Sequence, residues 1–252
     1  MSERMSGATH STQRRAEIEI ALGEVRARIA TACRAAGRGE DAVRLIAVTK
    51  TFPAEDAALL TDLGVTDLGE NREQEASPKT VDLRKLRPEA NVAWHMLGRL
   101  QRNKARAVAR WAAEIQSVDS DRLADALDKA VRNARDAGDR DTALDVLIQV
   151  SIDGDPARGG VPLDTLMPLA DHVARSGELR LRGLMAVAPL TMAPDEAFSQ
   201  LAEIAGRLRE DHSEAVEISA GMTGDLETAI AHGSTCVRVG TALLGTRGLA
   251  SP

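Results

Sequence analysis

Eight short apolar runs recur along the chain, and most neighbouring runs are separated by a stretch rich in Ala, Leu, Glu and Arg. The runs are LIAVT at 45–49, VTDLG at 65–69, VAWHMLG at 92–98, EIQSV at 114–118, LDVLIQV at 144–150, LRLRGLMA at 179–186, AVEIS at 215–219 and CVRVG at 236–240. Helical text fills 53–63, 102–111, 121–137, 162–176, 195–211 and 225–232. Parallel strands need crossovers of this length, so the alternation predicts an α/β protein, a single (β/α)8 TIM barrel that uses the whole length as one domain. An open doubly wound sheet is the runner-up, but no GxGxxG follows the first run and no second domain completes a cleft. Ahead of the first run, Ile18, Leu22, Val25 and Ile29 recur at helical spacing and Gly37 supplies a stop, predicting an extra N-terminal helix. Residues 1–12 lack an apolar period and read as a mobile tail, with 13–252 as the single barrel domain.

Composition narrows the function classes. A net charge of −6 with two Trp, two Phe and no Tyr argues against a nucleic-acid partner, which would favour a basic surface with stacking rings. No run approaches the ~18 apolar residues of a membrane span, and the polar start has no apolar signal core, so the expectation is a soluble cytoplasmic protein with a small ligand. Cys33 and Cys236 stand far apart without CxxC or Cys/His spacing, so no disulfide framework or metal site is expected. The absence of tyrosine removes any phenolic general acid or base.

A barrel places its chemistry at the C-terminal ends of the strands, with phosphate often held after strands seven and eight. Period two puts Ile46, Val48 and Lys50 on one face, so an inward Val48 brings Lys50 to the mouth. Partial desolvation there lowers a lysine pKa and suits Schiff-base chemistry; a lysine snorkelling into solvent fits the same residues. After strand seven, Ser219, Gly221, Met222 and Gly224 precede a helix near Asp225, and after strand eight Arg238, Gly240 and Thr241 open a short last helix. Both loops read as phosphate-binding backbone, although Gly and Ser are also common in turns and Arg238 could be a structural ion-pair partner. An imine-forming lysine opposite a phosphate cradle suits pyridoxal phosphate or a phosphosugar, and an inward Arg238, facing a pyridine nitrogen, favours the former.

Six segments carry a resemblance: LIAVTK at 45–50, DLGENREQE at 67–75, WHMLGRLQRNK at 94–104, LRGLMAVAP at 181–189, SAGMTGDLETAIAHGST at 219–235 and VRVGTALLG at 237–245. In this order and spacing they resemble the YggS-like (PROSC) pyridoxal phosphate homeostasis proteins. The resemblance implies a barrel like the N-terminal domain of alanine racemase, without that enzyme's second domain. It implies pyridoxal 5'-phosphate held as an internal aldimine on Lys50, with Ser219 touching the phosphate and the amides of Gly240 and Thr241 holding it. It also implies that Arg238 faces the pyridine nitrogen, which weakens the ring as an electron sink. Asn71, His95 and Met222 fall on positions that line the family's pocket, and a core role fits His95 equally well. The chain departs from the family at Arg72, where an aromatic is usual, and at Arg158, where a lysine is usual.

The function implied is intracellular homeostasis of pyridoxal phosphate, by buffering or delivery, by a monomer with little or no catalysis. Apo-enzymes that use the cofactor are candidate partners. The alternative is an amino-acid racemase-like enzyme, which would need a second proton carrier that a chain without tyrosine must find in His95 or a cysteine; an aldolase-like barrel is disfavoured by Arg238. The basic series Arg99, Arg102, Lys104, Arg106 and Arg110 reads as a solvated helix face in preference to an RNA or phosphopartner site. His10 lies in the tail, and His172, His212 and His232 read as helix-surface residues.

Overall fold

The computed structural model describes residues 2–155 and 159–246; Arg158 lies outside the described residues. Eight parallel strands close into a barrel in chain order: β1 (Arg44–Val48), β2 (Asp67–Glu70), β3 (Ala93–Met96), β4 (Glu114–Val118), β5 (Leu144–Gln149), β6 (Leu179–Met185), β7 (Glu217–Ser219) and β8 (Cys236–Val239). β8 pairs with β1, setting Ile46 beside Arg238 and Ala47 beside Val239. Every strand falls on one of the eight apolar runs.

The helices among the described residues are α1 (Ser2–Ala35), α2 (Ala54–Asp62), α3 (Glu73–Leu86), α4 (Ala105–Val108), α5 (Asp121–Asp136), α6 (Leu163–Ala174), α7 (Pro194–Asp211), α8 (Leu226–Ala231) and α9 (Thr241–Leu244). Sequence periodicity does not signal α3, whose polar text contains Pro78 and presents few apolar residues; Ala76 and Leu83 are the ones it buries. The helix expected over 102–111 resolves into a 3-10 turn at Arg102–Lys104 followed by the single turn of α4.

The strands separate two environments. Ala47, Val237 and Val239 point outward into a layer shared with Leu60, Leu226 and Leu243, while Val146, Ile148 and Leu184 pack under Leu123, Leu127, Leu169 and Phe198. Ile46, Val48, Leu97 and Cys236 form a separate cluster inside the barrel. Period two thus assigns the faces correctly.

α1 lies across the seam where β8 meets β1. Ile18, Leu22, Val25 and Ile29 are at most 5% exposed, and each contributes about 1.5–3 kcal/mol of gross burial. Its arginines reach α2, α8, α9 and the loop after β7. Arg14 donates to Asp56 (2.8 Å) and to the carbonyl of Leu244 (3.0 Å), and Arg28 to Glu227 (2.7 Å) and to the carbonyl of Thr223 (2.9 Å). The helix begins at Ser2, so the backbone of the stretch expected as a tail is continuous with α1. That stretch holds one Gly and no Pro, and elongating a helix already anchored by packing is far easier than nucleating one.

Candidate functional site

Four adjacent strands, β7, β8, β1 and β2, bring seven of the eight residues singled out in the sequence to the C-terminal mouth. Lys50 follows β1, two residues past Val48, whose partners are Gly69 on β2 and, across the β8 side, Gly240. Asn71 stands two residues past Gly69, so it flanks Lys50 on one side while Gly240 and Thr241 flank it on the other. Lys50 is exposed, where the sequence suggested partial desolvation, and among the described residues its amine makes no hydrogen bond or ion pair.

Arg238 is the most unusual group at this end. It is 6% exposed and faces into the barrel without a carboxylate partner among the described residues, and burial lowers its pKa. Nη1 donates to Ser219 Oγ (2.6 Å) and Nη2 to the carbonyl of Ala186 (2.8 Å). A guanidinium has five N–H donors, so three remain to meet an acceptor entering from the mouth. Ser219 is fully buried; its hydroxyl accepts from Arg238 and donates to Gln116 Oε1 (2.7 Å). In this arrangement Ser219 aims the guanidinium, and to reach a phosphate it would have to turn away from Gln116.

The two C-terminal loops are shaped by close backbone approach. A Cβ at Gly240 would sit 3.1 Å from the carbonyl oxygen of Val48, so glycine lets the β8 loop lie against the end of β1. Thr241 then starts α9 directly after the end of β8, and the first N–H groups of a helix have no partner within it. Met222 is exposed, and its N–H donates to Asp225 Oδ1 (2.6 Å), which fixes the turn after β7.

His95 is the residue that the fold does not bring to the mouth. It is 1% exposed, and its Nε2 contacts Asp67 Oδ1 at 2.9 Å and its Nδ1 Glu114 Oε1 at 3.0 Å. Asp67 and Glu114 begin β2 and β4, so the ring is held toward the N-terminal half of the barrel. Burial opposes the charged ring, but the two carboxylates outweigh it and raise the His95 pKa; Glu114 and Asp67 are lowered in turn, against the opposing effect of their own burial. Arg44 completes the cluster, donating to Glu217 (2.7 Å), Glu114 (3.1 Å) and Asp67 (3.3 Å). Polar residues at alternate strand positions, such as Glu114 and Gln116 in EIQSV, were the available sign of this polar interior.

A second buried cluster, absent from the sequence reading, underlies the Lys50 loop. Lys79 of α3 is 6% exposed; its amine donates to Glu70 Oε1 (2.6 Å), to the carbonyl of Thr49 (2.8 Å) and to Glu75 Oε1 (3.3 Å). Thr49 Oγ1 donates to the same Glu70 oxygen (2.5 Å), and the N–H of Thr51 donates to Glu75. Both neighbours of Lys50 are therefore tied to α3, and Thr51 takes a left-handed φ of 66°. Glu70 is fully buried, its Oε2 has no partner, and burial raises its pKa in spite of Lys79 and Thr49. Cys236, sealed in the barrel below the mouth, has its thiol pushed up to about 11 by burial.

Among the described residues no three His, Cys, Asp or Glu side chains could hold a metal ion, and no helix is long and apolar enough to cross a membrane. Residues 20–248 match the alanine racemase N-terminal domain family. The chain is 48% identical over 250 residues to the pyridoxal phosphate homeostasis protein of Mycobacterium tuberculosis, covering 95% of this chain and 96% of that one. It is 47% identical to the protein of the same name from Corynebacterium glutamicum, over 90% of this chain and all of the other. Among solved structures, PipY of Synechococcus elongatus with PLP bound superposes with a TM-score of 0.77 at 32% identity, over 90% of this chain and 100% of that one. Alanine racemase from Corynebacterium glutamicum shares the fold, with a TM-score of 0.62 at 17% identity over 92% of this chain and 63% of the enzyme.

Proposed function

The chain belongs to the alanine racemase N-terminal domain family and, within it, to the pyridoxal phosphate homeostasis proteins, and on that premise we propose that it carries pyridoxal 5'-phosphate covalently on Lys50 and buffers or delivers it with little or no catalysis. The observation that carries this reading is Arg238, a buried guanidinium with donors to spare inside the barrel, on the strand that pairs with β1 below Lys50. The residues fit the group in their chemistry: a buried guanidinium with unused donors, a glycine at 240 that brings the start of α9 against the end of β1, and an exposed amine two residues past Val48.

When bound, the cofactor supplies an aldehyde that a primary amine captures with loss of water, and a ring able to draw electrons toward its nitrogen. Lys50 provides the amine. Gly240 and Thr241 would hold the phosphate through backbone N–H groups, Asn71 and Met222 would line the pocket, and Arg238 would donate to the ring nitrogen. A permanent donor there leaves that nitrogen unprotonated, which suits storage better than turnover. The racemase-like alternative lacks its second proton carrier, because the chain has no tyrosine and His95 is buried with both ring nitrogens on Asp67 and Glu114. We assign the protein to the cytoplasm, as a monomer whose partners are apo-enzymes that take up the cofactor.

The test is reduction of the loaded protein with borohydride followed by peptide mapping. A pyridoxyl mass on the peptide containing Lys50, lost in Lys50→Ala, is expected; label on a different lysine overturns the assignment. Turnover of L-amino acids to D-products at ~1 per second or faster would favour the racemase alternative.

A further inference from the structure

Beside the mouth, a cleft of about 1400 Å³ opens between the β2–α3 loop, the β3–α4 loop and the start of α5. It takes up part of the basic series that the sequence assigned to a helix face. Arg99, Arg102 and Lys104 line this cleft, while Arg106 and Arg110 line a separate small cavity against α5. With Arg72 and Arg122, the cleft gathers five cations on a protein whose net charge is −6.

Two of these cations are neutralised from within, Lys104 by Glu73 at 3.3 Å and Arg99 by Asp119 at 3.7 Å. Arg72, Arg102 and Arg122 are exposed and have no carboxylate partner among the described residues. Two helices of 14 and 16 residues, α3 and α5, begin on its wall, and neither is capped by a side chain; Ser120 Oγ turns to Asp119 instead. Their positive ends add to the field of the three guanidinium groups. Three unpaired cations exceed the charge of roughly two on a monophosphate. The volume also exceeds the roughly 300–1,000 Å³ usual for a single small ligand. No aromatic ring among the lining residues offers a surface on which a base could stack.

We propose that this cleft is a second anion site, distinct from the cradle at Gly240, that binds the oligophosphate chain of a small di- or triphosphate through Arg72, Arg102 and Arg122. Recognition is of the phosphate chain, by guanidinium forks that pair two oxygens at a time. The three arginines are not among the residues of the cofactor reading, although Asn71, which flanks Lys50, also lines the near wall of this cleft.

The experiment is isothermal titration of the full chain, as purified and again after saturation with pyridoxal phosphate, with inorganic tripolyphosphate, pyrophosphate and orthophosphate. Saturable 1:1 binding of tripolyphosphate, at least tenfold tighter than orthophosphate and retained after saturation, is expected. Arg102→Glu/Arg122→Glu should weaken it at least tenfold while leaving borohydride labelling of Lys50 unchanged; both side chains are exposed and unpaired, and matching thermal transitions would verify the fold. Absence of saturable heat, a double variant that binds like the parent, loss of binding on saturation, or tighter binding of an oligoglutamate peptide would each overturn the proposal. Failure of the cofactor reading would appear separately, as missing label on Lys50.

Discussion

Replacing Lys79 by Met removes the only cation paired with Glu70 among the described residues, and Glu70 is a carboxylate that is fully buried and already has one oxygen without a partner. Breaking one side of a buried pair costs about 3–5 kcal/mol, because the remaining charge has nowhere to go. Glu70 can limit that loss by taking a proton. From the ordinary glutamate pKa, protonation costs about 3.7 kcal/mol at pH 7 and about 1 kcal/mol at pH 5, and the raised pKa of Glu70 moves both values down. Lys79→Met should therefore destabilise the protein by about 3 kcal/mol at pH 7 and by about 1 kcal/mol at pH 5. Urea unfolding followed by the fluorescence of Trp94 and Trp111 reads this directly, and the double variant Glu70→Gln/Lys79→Met should recover most of the loss at pH 7. A cost below 1 kcal/mol at pH 7, or one independent of pH, would refute the reasoning, since either outcome means that Glu70 does not need its cation.

Other expectations follow from the barrel interior and its backbone. The raised pKa of His95 gives stability that is present in full below about pH 6.5 and is lost as pH climbs through the folded value, whereas the lowered Asp67 and Glu114 lose theirs on the acid side, below about pH 4. Chemical denaturation across pH should show the alkaline decline in the parent and a flatter profile in His95→Gln; parallel profiles would contradict the charged ring. Gly183→Ala should destabilise severely, by more than about 3 kcal/mol or to the point of insolubility, because a Cβ there would lie 1.9 Å from the carbonyl oxygen of Glu217 at a φ of +151°; a thermal midpoint within a few degrees of the parent would show that β6 can shift past β7.

The elements that were legible in the sequence are those for which local pattern and burial agree. Ile46, Val48 and Lys50 alternate as a strand entering a mouth must, and the stripe from Ile18 to Ile29 announces a helix that covers apolar neighbours. Depth along a strand is another matter. Alternation tells which face His95 takes but not its height in the barrel, which depends on the tilt and stagger of strands closing on one another. Nor does local text reveal α3, where Pro78 and a polar composition hide a helix held by the Lys79 cluster. The Ser219–Gln116 bond joins residues 103 apart in sequence, and the guanidinium of Arg238 is aimed by that bond. Such pairings exist only once the barrel has closed.

The placement of the first helix has a consequence for how the chain is made. Its Arg28 waits for Glu227, 199 residues downstream, and its Arg14 for the carbonyl of Leu244, 230 residues downstream. During synthesis from the N-terminus, the greasy stripe of this segment leaves the ribosome long before the strand and turns that will cover it. A chain arrested before β8 would display that stripe and an unpaired β1 edge to any passing chaperone. Closure thus waits for β8, and the rim proposed to receive the ligand is completed in the same step that locks the first segment down.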